Sequence, residues 1–155
     1  MRIIKFRGKK ATNGVWVYGC LVYSNEIDAA IYYQNGNGSV KVMDWVYVNQ
    51  ETVGQFTNLY DKNKKEIYEG DILRSDEYPF SCMEDDERDN YFGIIEWSDE
   101  EAMFVLTCFK DPKSDVFVIF NGISDEITQQ KLEDFEIVGD IHDPEWQRKL
   151  NLKDE

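Results

Sequence analysis

The chain has 155 residues, of which 42% are hydrophobic and 14% aromatic (Trp 4, Tyr 9, Phe 9). That is enough to fill the core of one domain, and too apolar for a disordered chain. Its 17 basic and 31 acidic residues give a net charge of −14, which opposes broad contact with a phosphate backbone and argues against nucleic acid as a partner.

No run of about 18 apolar residues is present, so no membrane-spanning helix is expected. The basic start of the chain lacks the apolar stretch and small-residue cleavage site of a secretory signal, which makes the cytoplasm the expected compartment. The charge is unevenly placed: residues 1–10 hold Arg2, Lys5, Arg7, Lys9 and Lys10 and no acid, leaving −19 for the remainder. Cys20, Cys82 and Cys108 are widely separated and form no CxxC pair. They are expected as buried or half-buried reduced thiols, with no zinc site or disulfide framework.

In chain order, Ile3, Ile4 and Phe6 alternate with Lys5 and Arg7 as in a strand with one solvated face. Thr12-Asn13-Gly14 turns the chain into a return strand over 15–23. The basic residues of this first hairpin are expected on its solvated face. Residues 29–33 read as a strand, Asn35-Gly36-Asn37-Gly38 as a turn, and 40–48 as a further strand whose alternation breaks at Met43-Asp44-Trp45.

The stretch 51–74 carries β-branched and aromatic residues on both sides of Tyr60-Asp61-Lys62-Asn63-Lys64, which reads as a hairpin loop with Asn63 at its positive-φ position. Glu69-Gly70-Asp71 marks a bend or bulge, with Tyr68 beside it as an exposed aromatic. Residues 75–90 are dense in acids and read as a mobile loop pinned by Tyr78, Phe80 and Met83. Strands are expected over 91–97, 102–109 and 116–121, one helical turn within 124–133 capped by Ser124, and a closing strand over 135–141. Asp143-Pro144 then supplies the N-cap and first position of a short helix over about 144–151.

No residue set spells out a reaction. His142 precedes Asp143, but no Ser or Cys stands near it in a nucleophile motif. Asp61, Asn63 and Lys65 fall at calcium-ligand spacing, yet Lys65 is a cation, Glu66 stands where the loop needs Gly, and Ile72 occupies the bidentate position. There is no GxxxxGK(S/T) phosphate loop. No catalytic residue, metal or cofactor is therefore expected. Trp16, Trp45, Trp97 and Trp146 are each expected in the core, the competing reading being a ligand groove that they line together with the tyrosines.

The wording TVGQFT..YDKNKKEIYEGDIL resembles the central signature of the YopX-like family, small proteins of bacterial phages and prophages. The opening IKFRGKK...NGVWVYG, the GIIEW strand and the closing IVGDIHDPEW agree with it in order. The chain departs from the family pattern where the hairpin usually carries Gly, with Asn58 and Lys64 there, and at Asp140 in place of Asn. The resemblance implies a mainly β fold, an antiparallel meander with an SH3-like barrel, and no agreed activity. On this reading 1–155 is a single domain, with 1–50 as an elaboration, the barrel at about 51–141 and the short helix after it.

The expected function is that of a non-enzymatic, phage-associated accessory protein that binds an unknown protein, or a second copy of itself. Its candidate surface is Tyr68, Glu69 and Asp71 at the central bend, with Arg7, Lys9 and Lys10 of the first hairpin. Two alternatives remain: an acidic mimic of nucleic acid that inhibits a DNA-binding enzyme, and a nucleic-acid binder acting through the basic hairpin.

Overall fold

The computed structural model describes residues 2–24, 28–35, 42–75, 91–110, 125–130 and 132–150, and they are mainly β. The chain divides into two compact units, Met1–Phe56 and Thr57–Glu155.

The first unit is an antiparallel meander of β1 (Phe6–Lys9), β2 (Trp16–Ser24), β3 (Asp28–Asn35) and β4 (Val42–Val48), joined by a 3-10 turn (Gln50–Thr52) to the start of β5 (Gly54–Tyr60). Consecutive strands pair, and β5 returns to the free side of β1, with Phe6 opposite Gln55 and Arg7 opposite Gly54. The sheet curls far enough that the end of β4 meets the end of β1. Ala11 N donates to Tyr47 O at 3.0 Å, Asn49 N donates to Lys9 O at 2.8 Å, and Lys10 bridges Val48.

Val17, Ala29, Ile31 and Val48 point into this curl, with Leu21, Tyr33, Val46 and Val53 packed around them. Their spacing follows the period of two that sends alternate side chains of a strand to one face. Thr52 fastens the turn: its hydroxyl accepts from Lys9 N at 2.8 Å and donates to Asn49 O at 2.7 Å.

In the second unit β5 runs on to the 61–65 loop and returns as β6 (Glu66–Tyr68). Then come β7 (Asp71–Ser75), β8 (Tyr91–Ser98), β9 (Met103–Lys110), β10 (Asp125–Glu126), β11 (Glu136–Asp140) and the helix α1 (Pro144–Lys149). Five of these strands form an antiparallel sheet in the order β10-β9-β8-β7-β11. Ile67, Leu73, Ile95, Phe104, Leu106, Leu132 and Phe135 fill one cluster, and Ile72, Phe92, Trp146 and Leu150 a second. Asp143 caps α1 by accepting from Glu145 N at 2.8 Å, with Pro144 at its start, as the sequence leads one to expect. Trp146 then lies so close over Gly139 that a Cβ there would stand 2.2 Å from its indole nitrogen.

The loop after β5 is held by a buried carboxylate. Asp61 is 1% exposed. Its Oδ1 accepts from Asn63 N and Lys65 N, both at 2.8 Å, and its Oδ2 accepts from Ile137 N at 3.2 Å. One side chain thus closes the loop and ties it to β11. Lys62 and Arg74 flank the same corner, both paired with Glu136.

Several expectations change. The SH3-like barrel is not closed among the described residues, because β10 and β11 end the second sheet as separate edges, β10 bonded to β9 and β11 to β7. Residues 125–126, placed within a helical turn, are strand β10, and turns fall at 129–130 and 132–134, where Leu132 N reaches Thr128 O. Ile3 and Ile4 precede β1 and are exposed. Positive φ in the hairpin belongs to Lys64 (64°) and not to Asn63; Asn58 also takes it (66°), so both departures from the family's glycines sit on left-handed backbone. The bend at Gly70 (φ 83°) is as expected. The expected turn at Gly36–Gly38, acidic loop at 76–90, strand at 116–121, cap at Ser124 and thiol of Cys82 lie outside the described residues.

A left-handed non-glycine residue costs about 1 kcal/mol. Lys64→Gly is therefore expected to raise the urea unfolding free energy by about 1 kcal/mol, while Asn63→Gly brings no gain. Asp61→Ala, which leaves three backbone N–H groups without their acceptor, is expected to cost about 3 kcal/mol or more in the same assay.

Candidate functional site: an aromatic and cationic sheet face

The register of the first unit fixes what its outer face carries. Since Val17, Ile31 and Val48 point inward, the residues between them point outward. Arg7 stands opposite Tyr18 and Lys9 opposite Trp16; Cys20 stands opposite Tyr32, Tyr32 opposite Trp45, and Ala30 opposite Tyr47. This face is therefore a band of rings across β2, β3 and β4, bordered by the cations of β1.

The rings are open to solvent: Tyr18 is 43% exposed, Tyr32 37%, Trp45 48% and Tyr47 47%. Tyr32 and Trp45 lie nearly parallel with centroids 6.3 Å apart, and Tyr47 meets Trp45 edge-on at 5.0 Å. Arg7 lays its guanidinium over Trp16 at 4.4 Å, with Lys9 over the same ring at 4.9 Å and Lys5 over Tyr18 at 5.8 Å. Such stacking keeps positive charge on the face while burying the aliphatic stems. An open groove runs between Lys5, Trp16, Tyr18, Tyr32 and Met43. Cys20 is an exposed free thiol on this face, contrary to the expectation of a buried one, because its strand position alternates outward with Tyr18.

Of the described strand positions on this face, Asp28 at the start of β3 is the one acid. Asp44 belongs to the other face, opposite Tyr33. Its carboxylate accepts from Trp45 N at 2.8 Å and from Tyr33 OH at 3.3 Å. The Trp45 N–H bond is the main reason its pKa falls below the usual aspartate value, with Tyr33 and Lys10 adding to the effect.

The expected site residues are largely withdrawn from solvent. Tyr68, named as an exposed aromatic, is 2% exposed, and its hydroxyl donates to Glu66 at 2.7 Å. The reason is local: β6 is three residues long, and the Gly70 bend lets the buried Asp71 carboxylate reach back to Tyr68 N at 2.7 Å. Glu69 is half-buried at that bend. Arg7 is buried beneath the face it was expected to present, Lys9 is half-buried on it, and Lys10 turns to the opposite face, over Tyr33.

Of the tryptophans, Trp146 is core as expected, whereas Trp45 and Trp97 are exposed and Trp16 is half-buried under its cations. The sequence places the tyrosines in an aromatic groove only as a group, and does not single out Tyr18, Tyr32 and Tyr47. Their signal is parity, legible only once the hairpin registers are known. The backbone N–H of His142 donates to the Asp140 carboxylate, and the Asp143 carboxylate caps α1. Among the described residues no three His, Cys, Asp or Glu side chains gather as metal ligands, and no helix is long and apolar enough to cross a membrane.

Residues 5–145 match the family model described as YopX protein. The chain belongs to the YopX family. A crystal structure of a protein from Enterococcus faecalis is similar to this YopX chain at 20% identity, with a TM-score of 0.49, over 97% of this chain and 99% of that one. A comparison with curated proteins finds no match.

Because the Asp44 pKa is lower in the folded chain than in the unfolded one, its contribution to stability is complete above the usual aspartate range. That contribution disappears as pH falls through the depressed value. Unfolding midpoints measured against pH are expected to show this loss in the native chain and not in Asp44→Ala.

Proposed function

We propose that this YopX chain is a phage-associated accessory protein of the bacterial cytoplasm that acts by binding a partner rather than by catalysis, with the outer face of its first unit as the contact surface. The observation that carries this reading is the set of exposed rings, Tyr18, Tyr32, Trp45 and Tyr47, gathered on one face. Exposed aromatics forgo burial that is worth about 1.5–3 kcal/mol for a large apolar side chain. A contiguous group of them, bordered by charge, is the composition of an interface core. The use of Asp143 as a helix cap and of Asp61 and Asp71 as backbone acceptors supports the non-catalytic part of the reading.

The mimic reading draws on composition alone, since 76–90, its densest acidic run, lies outside the described residues.

The test compares the immobilised native chain with a Tyr18→Ser/Tyr32→Ser/Trp45→Ser variant, both shown by thermal unfolding to be folded, in lysates of phage-carrying cells with and without nuclease. The native chain is expected to retain a ligand that the variant loses. Retention of the same set by both, or of nothing by the native chain, would sink the reading.

A further inference from the structure

We infer that the ligand of this face is single-stranded nucleic acid, its backbone following β1 and its bases stacked on the rings of β2, β3 and β4. The inference rests on the reading of the face as a binding surface and names its ligand.

Three observations carry it. First, cations and rings are segregated: Lys5, just before β1, and Lys9, at its end, border the face on one side, with Arg7 buried between them over Trp16, and the rings occupy the neighbouring three strands. Single strands are bound by this pairing of a positive track with aromatic platforms, and a sheet surface is a known support for it. Alternate positions on a strand are about 6.8 Å apart and neighbouring strands about 4.8 Å apart. The rings therefore offer stacking places at close, regular intervals, which suits a polymer with one planar group per unit. An acidic peptide carries charge but no planar surface at each step. A duplex hides its base faces, so the rings would have nothing to stack on.

Second, the net charge does not oppose contact here. Residues 1–56 hold six basic and four acidic residues, while residues 57–155 hold 11 and 27. The excess of acid belongs to the second unit. Asp44, the acid nearest in sequence to the rings of β4, turns its carboxylate to Tyr33 on the opposite face.

Third, one pair of the exposed rings is set side by side, while Tyr47 meets Trp45 edge-on. Tyr32 and Trp45 are nearly parallel and each is more than a third open. Phe92 against Trp146, by contrast, is tilted at 59° in a buried cluster. Solvent-exposed rings set side by side leave aromatic surface for a planar ligand.

The experiment is a tryptophan-fluorescence titration of the full chain with an oligodeoxythymidylate and an oligouridylate, each of about 20 nucleotides, at about 50 and 200 mM salt. Saturable quenching is expected, with affinity falling roughly tenfold between the two salt concentrations for two or three phosphate contacts. Trp45→Ala is expected to weaken binding by about five- to a hundredfold and Trp45→Phe by much less. Lys5→Ala/Lys9→Ala is expected to flatten the salt dependence. Alkylation of Cys20, read by peptide mass spectrometry, should slow when the oligonucleotide is bound.

No saturable quenching by either oligonucleotide at the lower salt would overturn the inference. So would equal affinity for a duplex, full displacement by poly-glutamate at equal charge, or affinity unchanged in a folded Trp45→Ala. A protein retained by the native chain from nuclease-treated lysate and lost by the ring variant, with no oligonucleotide binding, would leave the binding-surface reading standing and remove this one.

Discussion

A β-strand can turn only alternate residues toward a core, and that constraint governs the first unit. Once Val17, Ala29, Ile31 and Val48 face inward, the pairing of β1 to β4 leaves Trp16, Tyr18, Tyr32, Trp45 and Tyr47 no inward place. A slip of one residue in any hairpin would exchange the two sets. The inner set is small, built on alanine, valine and isoleucine, while the larger rings go outward. Burial alone would choose the opposite arrangement, since the rings carry more apolar surface. The proposed contact surface rests on this outward placement.

The second unit turns on polar groups placed where no water reaches. Asp61 and Asp71 are both 1% exposed, and each accepts backbone N–H groups at a corner that regular strand pairing cannot satisfy. A buried carboxylate is tolerable when its acceptors are filled in this way. Asp61 does more than turn the loop, because its second oxygen holds Ile137 N at the start of β11. Gln129 works in a similar manner, exchanging two hydrogen bonds with the backbone of Tyr60 as a strand would. Acid abundance in this chain is thus partly structural and is not read off as a function.

The division of charge matters as much as its total. A net charge of −14 suggests an object that nucleic acid avoids. A face that gathers Lys5, Arg7 and Lys9 over tyrosine and tryptophan rings is a local exception that no whole-chain sum reveals. Stacking on the rings also changes what those cations are. They are partly buried and held in place, so they cost less ordering on contact than loose surface lysines would.

The sequence by itself determined the class of fold, most strand positions, the helix with its Asp143 cap, and the family. Each of these depends on local chemistry: alternation, turn residues, a proline after a capping acid. It also placed the bend at Gly70, because only a residue without Cβ takes that φ freely. What only the tertiary structure decided was exposure. Tyr68 looked open because an interrupted strand carries no parity, yet Asp71 folds back and buries it. Lys64 rather than Asn63 took the left-handed angle, because Asp61 collects the N–H groups of residues 63 and 65 and fixes the turn between them. The ring face was written into residues 16–47, but register decides which side each residue takes, and register is a property of pairs of strands, not of any one of them.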